Sequence, residues 1–155
     1  MSTVALPPFW SLVEAHGDEL LAHARRMTDH DSAEDVLQDA LLRALRAYPR
    51  LQHGEHLRAW LYRVTTTTAI DLHRRRRREV PTAEPPSPAV EPEYDDGAFE
   101  SLIAPLAPTA RDALRLRFVE DLDYDHIAAA LGTSPQAARQ RVSTAVRTLR
   151  ERVTA

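Results

Sequence analysis

The chain has 155 residues, 43% of them hydrophobic, with a formal net charge of -3 at pH 7 and no cysteine. That length makes one domain or two small ones with a buried core, and the lack of thiols excludes disulfides and thiolate metal sites, a composition that fits the cytoplasm. No apolar run approaches the length of a membrane span, no basic-then-apolar leader opens the chain, and four glycines are too few for nucleotide-cradling loops.

The first predicted helix runs from about Pro8 to Met27, with Phe9, Leu12, Val13, His16, Leu20, Ala24 and Met27 along one side. A second opens at Ser32, whose hydroxyl is placed to cap it while Asp35 completes a capping-box pattern. It turns Val36, Leu37, Ala40, Leu41, Ala44, Leu45 and Tyr48 inward and stops at Pro49. A third begins near Glu55 and continues to about Arg77 through Leu57, Trp60, Leu61, Val64, Thr68 and Leu72. At helical spacing from Leu57 and Val64, Trp60 reads as core, whereas Tyr62 and Arg63 lie off that stripe and face outward. Thr65 to Thr68 lower the helix propensity of the middle of this segment. It ends in Arg74, Arg75, Arg76, Arg77 and Arg78. Cations suit the C-terminus of a helix dipole, yet five in a row exceed what a cap needs, and their mutual repulsion favours a phosphate partner.

Glu79 to Glu100 contains Pro81, Pro85, Pro86, Pro88 and Pro92, seven acids and no base. Such a segment neither nucleates a helix nor buries a core, and reads as a flexible, acidic, extended linker. With it set aside, the two ends together carry 20 arginines against 16 acids, so the overall negative charge does not describe the surfaces that matter.

From Asp123 to Arg152 the pattern is two short amphipathic helices around a tight turn. Gly132 sits where the first must reverse, at a position suited to a left-handed backbone. Ser134 is placed to cap the second, and Pro135 fits its first turn, where no amide donor is needed. Ala138, Val142, Ala145 and Leu149 form one stripe, leaving Gln136, Arg139, Gln140, Ser143 and Arg147 on the other faces. Amphipathicity alone fits a surface helix of any all-α domain. Glycine, cap, proline and helix lengths together point to a helix-turn-helix, with Arg and Gln presented to the major groove.

The remaining constellations are weaker. His16, His23 and His30 recur every seven residues, and His53 and His56 form H-x-x-H, but without cysteine or a matching acidic ligand pattern no metal or other cofactor is expected. No Ser-His-Asp order or isolated carboxylate pair suggests an enzyme.

The segment SAEDVLQDALLRALRAYPRLQHGEHLRAWLYRVTTTTAIDLHRRRRR resembles region 2 of bacterial RNA polymerase sigma factors. LIAPLAPTARDALRLRFVEDLDYDHIAAALGTSPQAARQRVSTAVRTLR resembles their region 4. Two regions, a short linker and nothing else resemble the small extracytoplasmic-function group. The resemblance implies an all-α fold of two small helical domains: a region 2-like unit over residues 8–78, the linker over 79–100 and a region 4-like unit over 101–152. It implies that Asp35, Gln38 and Asp39, which share one helix face, dock on the coiled coil of the largest polymerase subunit. It further implies that the loop from Pro49 to His56 and the start of the third helix read the melted promoter element. Leu51 there replaces a usual aromatic residue, Tyr62 and Arg63 fall in the W-L-Y-R block, and Thr67 stands where an asparagine normally contacts the promoter. Arg74 to Arg78 would meet backbone phosphates, which position without reading sequence. Asp121 occupies the usual glycine of the turn before the helix-turn-helix, where aspartate is tolerable, and Asp123 remains a good cap.

The function implied is promoter recognition on behalf of core RNA polymerase, with promoter DNA and core polymerase as partners, an anti-sigma protein as expected inhibitor, no membrane insertion, and an acidic tether suited to a basic polymerase channel. A self-sufficient helix-turn-helix regulator, and a degenerate sigma-like adaptor that binds polymerase or an anti-sigma protein without initiating, are the alternatives.

Overall fold

The computed structural model describes residues 6–29, 31–51, 54–78 and 96–154. Among them the chain is all α, without a strand: α1 (Phe9–Met27), α2 (Ala33–Ala47), a 3-10 turn at Tyr48–Arg50, α3 (Leu57–Arg78), α4 (Asp96–Ile103), α5 (Pro108–Phe118), α6 (Tyr124–Leu131) and α7 (Pro135–Thr154). Most of the expected linker, with His30 and His53, lies outside the described residues. Its far end differs from expectation, because α4 starts at Asp96, inside the segment read as tether. The prolines stop at Pro92, and Phe99 and Ile103, one helical turn apart, are both buried and hold that turn in place. Glu100 reinforces it with a bidentate pair to Arg115 of α5 at 2.7–3.1 Å, and hydrogen bonding from Arg115 holds the Glu100 carboxyl below the usual range.

Helices α1, α2 and α3 pack around Leu20, Met27, Val36, Ala40, Leu61, Val64 and Ile70, all essentially inaccessible. Small residues at Ala24, Ala33, Ala40 and Ala44 let these helices approach closely. Leu45, expected inside, is 48% exposed, beside Leu42 at 49%. The apolar stripe of α2 is wider than the groove that α1 and α3 offer it.

The expected capping box at Ser32 does not form. Its backbone is helical (φ -93°, ψ -12°), and its hydroxyl accepts a 2.6 Å hydrogen bond from Arg76 of α3 instead. Asp29 takes over locally by accepting from the Ser32 amide at 2.8 Å, and hydrogen bonding with the Ser32 side chain, then with its amide, lowers the Asp29 pKa. Local spacing offered one partner, and the packing of α3 supplied a charged one.

The threonine run stays helical because each hydroxyl returns to the helix. Thr65, Thr66, Thr67 and Thr68 donate to the carbonyls of Leu61, Tyr62, Arg63 and Val64 at 2.7–2.9 Å. Three buried hydroxyls and the half-buried one of Thr67 are thereby satisfied, offsetting the propensity cost.

Helices α5, α6 and α7 form the second unit, and its core is continuous with the first. Phe99, Ile103, Leu114, Phe118, Val142, Ala145 and Leu149 join the apolar cluster of α1–α3, while a smaller cluster of Ile127, Ala128 and Ala138 lies between α6 and α7. Helices α4, α5 and α7 thus rest on α3, and α7 also meets α1.

Candidate nucleic-acid interface

The helix-turn-helix is built by local chemistry. Asp123, extended at φ -74° and ψ 170°, caps α6 by accepting from the His126 amide at 2.9 Å, and this bond pulls its carboxyl below the ordinary aspartate range. Gly132 ends α6 in the left-handed region at φ 65°, ψ 41°, and the Thr133 amide returns to the Ala128 carbonyl at 2.9 Å. Ser134 then caps α7 by accepting from the Ala137 amide at 3.1 Å.

The stripe of Ala138, Val142, Ala145 and Leu149 is buried. Gln136, Arg139, Gln140 and Arg147 are exposed, and Ser143 is half-buried. Arg139 rests its guanidinium 4.8 Å from the centre of the Tyr124 ring, and Arg117 lies 4.6 Å from the same ring. Asp123, Tyr124, Asp125, Pro135, Gln136 and Arg139 line an open cleft of about 430 Å³ between α6 and α7.

In the first unit the expected DNA-facing residues are disposed differently. Tyr62 was expected at the surface, yet only 5% of it is accessible, because Phe118 of α5 stacks on its ring at 5.4 Å and 18°. Arg63 is half-buried and donates to the Phe118 carbonyl. Both lie off the stripe of Leu57, Leu61, Val64 and Thr68; His23 of α1 and Phe118 of α5 meet Tyr62, and Phe118 also holds Arg63. Thr67 is half-buried, its hydroxyl 2.9 Å from the Arg63 carbonyl and 3.1 Å from that of Val64. Leu51 is half-buried against the core after the 3-10 turn. Trp60 is core, 6% accessible and 6.3 Å from the Tyr48 ring.

Arg74, Arg75 and Arg76 project from the end of α3, with Arg76 tied to Ser32 and 3.8 Å from Asp29. Arg77 and Arg78 continue the helix. On α2, Asp35 and Gln38 are exposed on one face. Asp39, beside them, pairs with Arg43 at 3.2 Å, and Arg43 also reaches Asp71 of α3 at 3.0 Å.

Sequence reasoning missed the residues that join the units. His23 of α1 is 1% accessible and lies between Tyr62 (4.9 Å) and Phe118 (5.3 Å). Its Nε2 is 2.8 Å from Thr66 Oγ1, whose one proton already goes to the Tyr62 carbonyl, so the ring donates from Nε2. Burial, then Arg26 and Arg117, lowers its pKa to about 3. Arg58 of α3 donates to Glu19 at 2.5 Å and to Asp121 at 3.2 Å. The only hint of these contacts in the sequence was Asp121 itself, standing at a turn position that favours glycine. Among the described residues, no cluster of His, Asp and Glu could hold a metal, and no helix is long and apolar enough to cross a membrane.

Comparison with known proteins agrees with this layout. Residues 12–79 match the family Sigma-70 region 2, and residues 96–149 match Sigma-70, region 4. The chain is 34% identical to the ECF RNA polymerase sigma factor SigG of Mycobacterium tuberculosis, over 92% of this chain and 48% of that protein. It is 33% identical to the RNA polymerase sigma-E factor of Streptomyces coelicolor, over 95% of this chain and 86% of that one. The chain spans about half the length of SigG and 62% of the SigE factor of Mycolicibacterium smegmatis, to which it is 32% identical. Among solved structures, the sigma factor RpoE in complex with the anti-sigma factor NepR from Bartonella quintana is 26% identical, covering 94% of this chain and 95% of that one at a TM-score of 0.48.

Proposed function

The chain belongs to the extracytoplasmic-function group of the sigma-70 family, and we propose that it confers promoter choice on core RNA polymerase. The observation that carries this reading is the pairing of two units in one short chain. One is an open helix-turn-helix with Gln136, Arg139 and Gln140 exposed early in α7. The other is a three-helix unit with Asp35 and Gln38 exposed on α2 and an arginine run ending α3. The first holds an upstream element by base-edge contacts, with Arg147 on a phosphate. The second docks on the polymerase clamp through Asp35, Gln38 and Asp39. From there Leu51, Tyr62, Arg63 and Thr67 open and read the downstream element, and Arg74 to Arg78 grip its backbone. The acidic segment between the units follows a basic channel of the polymerase. The protein acts in the cytoplasm, where its polymerase is, carries out no catalysis of its own, and is restrained by an anti-sigma protein.

The test compares DNA binding by the chain alone and with core polymerase. Weak, salt-sensitive binding by the chain and promoter-specific binding and transcription by the reconstituted enzyme are expected. Nanomolar, sequence-specific binding by the chain alone at physiological salt would instead identify a self-sufficient regulator. Tight binding to core without initiation on any promoter of a randomised pool would identify an adaptor.

A further inference from the structure

We propose that Tyr124 is a positioning residue for promoter choice: its ring holds the guanidinium of Arg139 at the DNA-facing end of the helix-turn-helix and so sets which base edges that arginine reads. The inference rests on the base-reading role proposed for Arg139.

The fold brings the two side chains together at one end of the motif. Tyr124 is the first residue of α6, and Arg139 lies early in α7. In a helix-turn-helix the start of the second helix meets base edges while the first helix crosses the backbone. Both side chains line the open cleft between the two helices, together with Asp123, Asp125, Pro135 and Gln136. Tyr124 is the fixed wall of that cleft, because it is half-buried and packs against both apolar clusters. Arg139 is exposed and has no such anchor except the ring, 4.8 Å from its guanidinium. A loose arginine samples many rotamers and gives up that freedom when it binds a base pair. A ring that already holds it removes part of this loss, for one orientation only.

The chemistry of the holding group matters as much as its place. A carboxylate would consume the N–H donors of Arg139. A ring face attracts the cation through its quadrupole and leaves those donors free for a base edge. Asp123 and Asp125 stand in the same cleft, yet among the described residues no carboxylate forms an ion pair with Arg139. Asp123 is spent on α6, accepting the His126 amide at 2.9 Å with His126 Nδ1 at 2.6 Å. Arg117 shares the Tyr124 ring at 4.6 Å and is fixed by its 3.0 Å hydrogen bond to the Leu122 carbonyl. Arg117 is half-buried, so its like charge favours the outward position for Arg139.

The test compares Tyr124→Leu, which keeps an apolar side chain but removes the ring, with Tyr124→Phe, which keeps the ring. In nuclear magnetic resonance of the full chain, the Arg139 Hδ and Hε signals should be shifted upfield by the ring in the parent and in Tyr124→Phe. That shift should vanish in Tyr124→Leu. In holoenzyme binding to a randomised upstream element, Tyr124→Leu should weaken preference about two- to fivefold at the positions that Arg139→Ala relaxes, and at no others. Tyr124→Phe should match the parent, and Tyr124→Leu should change nothing further once Arg139 is alanine. If Tyr124→Leu loses helicity by circular dichroism, Tyr124→Met is the ringless variant that decides. The proposal is overturned by Arg139 signals insensitive to loss of the ring, by a preference loss shared by Tyr124→Phe, or by one that persists in the Arg139→Ala background. A parent whose base preferences all survive Arg139→Ala would instead remove the base-reading role and its link to promoter choice, while the signals decide by themselves whether Tyr124 holds Arg139.

Discussion

Acid should destabilise this protein through His23, and by an amount the structure sets. In the unfolded chain the ring titrates near 6.5; in the folded chain burial, with Arg26 and Arg117 nearby, lowers its pKa to about 3. The folded pKa is the depressed one, so between those values the unfolded state binds the extra proton. Stability from the neutral ring is therefore fully present above pH 6.5 and is lost as pH falls toward 3. At pH 5 the gap of about 1.5 units below the unfolded pKa corresponds to a loss of about 2 kcal/mol relative to pH 7.5. Carboxylates and the other histidines also titrate, so the measurement is a difference. His23→Phe keeps an aromatic ring between Tyr62 and Phe118 but removes the proton site. Urea unfolding followed by circular dichroism at pH 7.5, 6 and 5 should show a parent curve steeper by about 2 kcal/mol over that range, whatever the absolute cost of the substitution. Parallel curves for parent and variant would refute the reasoning, because a fully buried neutral histidine cannot escape this linkage.

Four further outcomes follow from the site geometry. Asp35→Arg with Asp39→Arg should abolish binding to core polymerase, measured by gel filtration, while the helical content is kept. Asp35 is exposed, but Asp39 is a partner of Arg43, whose side chain is only 14% accessible, so thermal unfolding should lose about 1 kcal/mol. Arg139→Ala should relax preference at one or two upstream positions by about 1–3 kcal/mol. Arg147→Ala should weaken holoenzyme binding to all sequences alike and lower the salt slope by about one unit, and identical uniform losses in the two would show that Arg139 is not a base reader. Gly132→Ala should destabilise by about 1–2 kcal/mol, all of it from the left-handed backbone, since an added Cβ there meets nothing within 4 Å.

The helix-turn-helix was legible in the sequence because each of its determinants acts within a few residues. Asp123, Gly132, Ser134 and Pro135 satisfy backbone groups beside them, and the four-three-four stripe of α7 needs only some apolar partner to face. The helices of the first unit were legible for the same reason, and so was Trp60, which shares the main stripe of α3. Tertiary structure alone decided how the polar and flanking positions are used. Ser32 lost its expected capping role to an arginine 44 residues away, and α4 formed inside an acidic stretch because Phe99 and Ile103 found a neighbour. Periodicity marks the face a helix buries first; it does not say whether a second element will cover its flank. Tyr62 and Arg63 lie on such a flank, and their partner Phe118 stands 55 residues from Arg63, beyond the proline-rich segment. The contact energy there comes from stacking and burial between groups that no local spacing relates, so it takes shape only when the two units meet.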